Sequence, residues 1–70
     1  MKTVSVKFSN YYRSYAFKTN LPLKEGKMYK IVADGTKYST SVSVEGYLNR
    51  APEGIVLKEI TDAIEVVENG

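Results

Sequence analysis

The sequence has no cysteine, no histidine and no tryptophan, and only two prolines among its seventy residues. Without cysteine there is neither a disulfide framework nor a thiolate zinc site, and without histidine the commonest metal ligand and general base is missing. The lack of cysteine fits a reduced, intracellular setting. No apolar run approaches the roughly 20 residues that span a bilayer, and Met1 to Asn10 lack the apolar core of a signal peptide, so a cytoplasmic protein with no membrane partner is expected. There is no Gly-rich phosphate loop, Walker pattern, Ser/His/Asp or Cys/His set, or spaced metal-ligand cluster; no cofactor, metal site or catalytic residue is expected. The remaining route to catalysis is paired carboxylates. Glu59, Asp62, Glu65 and Glu68 lie close in sequence, but acid–base work needs a raised pKa in a cleft and these residues read as a solvated face. The chain is not expected to be an enzyme.

At this length about 60% of the extended surface is buried on folding, which allows one core and one domain, 1–70. A domain this small gains stability by association, so either a monomer or a homodimer is compatible with it. The net charge of +2 is unevenly spread. Met1 to Lys30 carries seven basic residues against Glu25 alone (7 − 1 = +6), whereas from Glu53 to Gly70 only Lys58 opposes five acids (1 − 5 = −4). Either the two ends neutralise each other on packing, or they present a basic face and an acidic edge.

The dominant period is two. Val4, Val6 and Phe8 alternate with Thr3, Ser5 and Lys7, and Tyr15 and Phe17 alternate with Ser14, Ala16 and Lys18, so two half-buried strands are joined by a hairpin loop. An even number of loop residues brings Phe8 and Tyr15 together on the inward face, and Asn10 is the loop residue best suited to positive φ. Asn20 to Gly26, with Pro22 inside it, reads as an irregular crossing that pins Leu21 and Leu23 to the core. Lys27–Ala33 and Thr36–Val44 flank Asp34-Gly35, the dipeptide of a two-residue type I′ hairpin. Pairing outward from that turn sets Ile31 opposite Tyr38 and Tyr29 opposite Thr40, with Lys30 and Ser39 facing the other way. Gly46 marks a bulge or bend that lets one strand serve both halves of a small barrel, and Tyr47 to Gly54 reads as a loop. Ile55 to Val67 has both helical spacing (Ile60, Ala63, Ile64, Val67) and a strand face (Val56, Ile60, Ile64, Val66). Its β-branched content favours a strand that closes the sheet. The fold expected is all-β: a small five-stranded, SH3-like or partly open barrel.

Two surfaces stand out as binding sites. Tyr11, Tyr12 and Arg13 put two aromatic rings and a guanidinium on one hairpin tip, the composition of a protein-binding hot spot. Lys7, Lys18 and Lys30 leave the sheet on its polar side and, with loop tyrosines including Tyr47, form the pattern of a single- or double-stranded nucleic-acid binder. The same lysines also serve to protect edges and keep the chain soluble. Tyr15, Tyr29 and Tyr38 fall on the inward face and are assigned to the core. Met28 and Val32 are outward apolar positions, covered by the terminal segment or part of a docking patch.

The stretch Tyr-Ala-Phe-Lys-Thr-Asn-Leu-Pro-Leu-Lys-Glu-Gly-Lys, followed by an apolar strand, a turn and Ser-Val-Ser-Val-Glu-Gly-Tyr, resembles small uncharacterised tailed-phage proteins. It is more remotely similar to the barrel-shaped N-terminal DNA-binding domain of the primosomal replication-restart helicase. Gly26 is followed here by lysine where that pattern has aspartate. The resemblance covers somewhat over half the chain, consists of core and turn residues, implies an SH3-like barrel and carries over no site residue. It implies a short, non-enzymatic phage accessory protein that binds and modulates a host protein through one surface; a nucleic-acid-binding module and a structural subunit of an assembly are the alternatives.

Overall fold

The computed structural model describes residues 1–50 and 52–67. Among them are six strands and no helix: β1 (Lys2–Phe8), β2 (Ser14–Thr19), β3 (Met28–Ala33), β4 (Thr36–Lys37), β5 (Val42–Leu48) and β6 (Glu59–Glu65). Strands β3, β5, β1, β2 and β6 follow one another around a five-stranded barrel, which a β3–β6 pairing closes; β4 is a short addition at β3. All ladders are antiparallel except β2–β6.

Alternation builds the first half of this ring. Val4, Val6 and Phe8 turn inward from β1, and Phe17 and Thr19 from β2, with Val4 opposite Phe17 and Val6 opposite Tyr15. Leu23, Tyr29, Ile31, Ala33, Val42, Val44 and Ile60 complete the core. Each large aliphatic or aromatic side chain taken out of water contributes about 1.5–3 kcal/mol against the entropy of ordering the chain. The crossing segment is held as its leucines suggested: Leu23 is buried and Leu21 packs against the core. Its backbone is tied down by Tyr47, whose hydroxyl accepts from the Leu23 amide at 2.9 Å and lies 3.1 Å from the Leu21 and Leu23 carbonyls.

The Asp34-Gly35 turn has φ of 48° and 78°, as a type I′ hairpin requires, and sets Ala33 opposite Thr36 and Val32 opposite Lys37. The Tyr38 amide still reaches the Ile31 carbonyl at 3.1 Å, but the second strand then leaves β3. Thr36–Val44 is therefore not one strand. The chain bends at Ser39 and Thr40 and rejoins β3 with Val42, not Thr40, opposite Tyr29. The displacement is two residues, so inward positions stay inward, while Tyr38 is freed to lie 5.4 Å from Phe8 and 6.3 Å from Phe17 between ring centroids. Beyond that break β5 does serve both halves of the barrel, pairing with β3 at Val42 and Ser43 and with β1 along Val42–Leu48. The bulge expected near Gly46 is present: Val6 faces Val44 and Ser5 faces Gly46, leaving Glu45 unopposed. The strand runs on through Leu48, so the following loop begins later than Tyr47.

The terminal segment is a strand, shorter than Ile55–Val67. Thr61 is an extra residue between Ile60, which faces Ala33, and Asp62, which faces Val32. This bulge ends the single apolar face anticipated for Val56, Ile60, Ile64 and Val66: Ile60 is buried, Ala63 packs on the core and Ile64 turns out to solvent. Asn10 does not take positive φ; Asp34 is the non-glycine residue that does among those described. With six residues between Lys7 and Ser14, the β1–β2 connection can turn through ordinary conformations, and the Tyr11 amide closes a turn on the Phe8 carbonyl at 3.1 Å.

Thr19 joins three segments. Buried on β2, its hydroxyl donates to the Ile60 carbonyl at 2.9 Å and accepts from the Leu21 amide at 3.0 Å. Thr19→Val keeps the shape and strands both backbone groups, so it is expected to cost about 1–3 kcal/mol in urea unfolding, with Thr19→Ser costing less. Equal costs for the two variants would assign Thr19 to packing alone.

Candidate functional site

The β1–β2 hairpin projects Tyr11, Tyr12 and Arg13 into solvent, and Tyr12 is 97% exposed. The root of the loop is anchored where the Ser9 amide donates to the Ser41 carbonyl at 3.0 Å. Lys7, on the outer face of β1, places its Nζ 5.9 Å from the centre of the Tyr12 ring, a cation–π contact that steadies an otherwise unsupported side chain. Lys7, Ser9, Asn10, Tyr11 and Tyr12 together line a shallow recess on this side of the tip.

On the other side of the tip lies a larger cleft of about 540 Å³ at the mouth of the barrel. Its floor is aromatic. Phe8 meets Tyr15 edge-on (5.4 Å, 80°) and Tyr38 at a tilt (5.4 Å, 51°), while Phe17 meets Tyr38 edge-on (6.3 Å, 80°). Edge-to-face contacts of this kind fix ring orientation as well as adding stability. Asn10, Tyr11, Ser39 and Thr40 form one part of the wall and residues 55–58 another. Ile55 and Val56 are 60% and 93% exposed there, an unusual cost for two apolar side chains.

Of the three tyrosines assigned to the core, only Tyr29 is fully inside; its hydroxyl accepts from the Lys24 amide at 3.0 Å. Tyr38 is half-buried at the cleft, and Tyr15, though inward by alternation, is 40% exposed because the barrel ends there. Tyr47, a candidate contact in the sequence, spends its hydroxyl on the crossing segment, with Lys2 Nζ 5.3 Å from its ring centre. Met28 and Val32 are half-buried beside β6, where Val32 faces Asp62 and the Met28 carbonyl accepts from the Val66 amide at 2.8 Å.

The three lysines do not share one surface. Lys7 and Lys18 sit on neighbouring strands, opposite Ser14 and Thr3 respectively, about 13 Å apart along the ladder. Lys30, on β3, is two strands away around the ring from both β1 and β2. Acidic residues stand near each of them: Lys18 is level with Glu59, Lys30 is opposite Ile64 with Asp62 two residues away, and Lys7 acts on Glu45. The strand carrying Glu59, Asp62 and Glu65 lies between β2 and β3, which carry Lys18 and Lys30. Asp62 and Glu65 are exposed and Glu59 is half-buried; Glu68 lies outside the described residues. Among the described residues no group of three or more acidic residues is placed to hold a metal ion, and no helix is long and apolar enough to cross a membrane.

Glu45, the bulge residue, has its carboxyl held below the usual range by the Ser14 hydroxyl first, then by Ser5, whose Oγ donates to Oε1 at 2.9 Å, with a smaller contribution from the charge of Lys7 and slight desolvation opposing. A lowered folded-state pKa means that the carboxylate's stabilising contribution is present at neutral pH and disappears as pH falls through that lowered value. Glu45→Gln should therefore lower the urea midpoint at pH 7, and the gap from the parent should shrink below about pH 4. A gap independent of pH would dissociate the effect from ionisation.

The exposure of the Tyr11-Tyr12-Arg13 tip was readable in the sequence; the cleft behind it was not. The inward positions Phe8, Phe17 and Tyr38 were readable from alternation; that the barrel mouth stays open over them depends on where residues 55–58 run, which no local pattern encodes. No family model matches this chain, and neither the curated proteins nor the solved structures contain a significant match to it.

Proposed function

We propose that this chain is a non-catalytic binding module, of the kind encoded by tailed phages as small cytoplasmic accessory proteins, that binds and modulates a host protein. The contact surface is the Tyr11-Tyr12-Arg13 tip together with the aromatic cleft beside it. One observation carries this reading above the others: Tyr12 stands 97% exposed at the end of an anchored hairpin, next to a cleft with a floor of ordered rings. Large aromatics held out in water beside a preformed apolar recess are the anatomy of a protein-binding hot spot.

A second reading, nucleic-acid binding, draws on the cation–π pair of Lys7 and Tyr12, since a cation beside an exposed ring suits a phosphate and a base. It has less support, because Lys18 lies about 13 Å from Lys7 along the β1–β2 ladder and Lys30 stands two strands away around the ring. A structural subunit would instead associate with itself.

Affinity capture from host extract, compared between the parent chain and Tyr12→Ala, separates these readings when run with oligonucleotide anisotropy and light scattering. The expected result is a discrete host polypeptide retained by the parent and reduced about 10-fold by Tyr12→Ala, the loss typical of a central aromatic anchor. Labelled single- and double-stranded DNA should show no salt-sensitive binding between about 50 and 200 mM salt. Binding to DNA that Lys7→Glu with Lys30→Glu abolishes would replace the proposal with the second reading. Growth of the particle with concentration would replace it with the third.

A further inference from the structure

The parallel seam between β2 and β6 is short. Lys18 is level with Glu59 and Thr19 with Ile60, and the Lys18 amide donates to the Lys58 carbonyl at 3.0 Å. In a strand, backbone groups alternate in the side they face, and residues two apart face the same neighbour. Because the Lys18 amide points to β6, the N–H and C=O groups of Ala16 and Ser14 point to that side too, away from their β1 partners Ser5 and Lys7. No backbone hydrogen bond meets them there among the described residues. The first half of β2 is thus an open sheet edge inside an otherwise closed barrel.

What lies along that edge is the aromatic cleft. Tyr15, Ala16 and Phe17 line one side and residues 55–58 the other, so the cavity occupies the place where β6 would lie if it continued backwards along β2. An unpaired edge is a liability that folds normally cover or charge. Here it is not covered: the cleft lining contains one cation, Lys58, and no acid, the exposed Arg13 adjoins the edge at Ser14, and the nearby Glu45 carboxylate is engaged by the Ser14 and Ser5 hydroxyls on the outer face of the sheet. A donor–acceptor row supplies main-chain affinity, and an adjoining pocket receives alternate side chains; these are the two elements of recognition by strand addition.

We infer that the partner segment captured by this module is an extended, acidic peptide with apolar residues at alternate positions, which adds as a strand to Ser14–Ala16 and seats an apolar side chain on the Phe8, Tyr15 and Tyr38 rings. This inference rests on the binding-module reading and names the class of partner. The edge and cleft select an extended backbone and an apolar anchor. The cations at Lys58 and Arg13, with no carboxylate in the lining, select acidic flanking residues by charge complementarity.

The probe is a synthetic peptide, acetyl-Glu-Val-Glu-Phe-Glu-Val-Glu-amide, titrated into the isotopically labelled full chain by NMR. Binding should shift the Ser14 and Ala16 amides and slow their hydrogen exchange about 10-fold or more, as new ladder hydrogen bonds form. The counterpart with lysine in place of every glutamate should bind about 10-fold more weakly at about 50 mM salt, where charge pairing is least screened. Methylation of alternate peptide nitrogens should abolish binding. Ala16→Pro removes a donor that β1 does not use and should have the same effect; if that variant misfolds, the methylated peptide tests the same bonds from the ligand side. Shifts confined to Tyr11 and Tyr12, without protection of Ser14 and Ala16, would overturn strand addition while leaving the tip as a binding surface. Equal binding of the lysine peptide would overturn the acidic class, and no binding of either peptide alongside intact Tyr12-dependent capture would overturn this inference alone. Edge protection in the free protein accompanied by a dimer in light scattering would assign the slot to a second copy of the chain and overturn the inference as well.

Discussion

The barrel exists as a closed object because one strand, β6, joins two others that do not touch. It pairs with β3 along most of its length but with β2 over two residues only, in the one parallel ladder of the fold. That short seam is secured by the Thr19 hydroxyl on the Ile60 carbonyl, inside the core, and at the strand's start by Asp34, whose amide and carboxylate bond the Glu59 backbone at 3.1 and 3.0 Å. A buried hydroxyl with both its bonds made is worth more than its share of the ladder, because leaving the backbone partners unpaired in an apolar interior would cost their full desolvation. The sheet then has no long edge, which is how a chain of this size avoids pairing with its neighbours.

The same seam explains why the cleft lies where it does. Since β6 meets β2 only along the second half of β2, the end of the barrel nearest the first hairpin is left open, and the buried rings of Phe8 and Phe17, with Tyr15 and Tyr38, serve at once as core and as the floor of a cleft. The interior is therefore divided lengthwise. Aliphatic side chains and Thr19 fill the closed part; rings that stack edge-on fill the open one. The charges follow a separate logic: the acidic strand lies between the strands that carry Lys18 and Lys30, so Lys30 is set apart around the ring from Lys7 and Lys18.

Local chemistry made much of this legible. Asp34-Gly35 specified its turn, the Val-Val-Phe alternation of β1 specified its inward face, Gly46 marked a bulge, and β-branched residues identified the terminal strand. What was hidden has a common cause. The break at Ser39 and Thr40 and the Thr61 bulge are set by how distant strands must meet around a ring, and an added or skipped residue leaves no trace in composition. The candidate site's placement on the fold was legible to a similar degree. Tyr11, Tyr12 and Arg13 had no place in either strand's alternation and had to be exposed, whereas the grouping of Lys7, Lys18 and Lys30 assumed a flat sheet that closure rolls up.

The two-residue seam also bears on the order of assembly. The β1–β2 and β3–β4 hairpins join residues close in sequence, while the Thr19–Ile60 contact spans 41 residues and must close a long loop before anything rewards it. The β1–β5 ladder carries the same burden, with Thr3 opposite Leu48, so closure of the ring depends on two long-range pairings while the hairpins form locally. The cleft wall at residues 55–58 runs directly into the two-residue joint, so whatever loosens that joint also reshapes the recess.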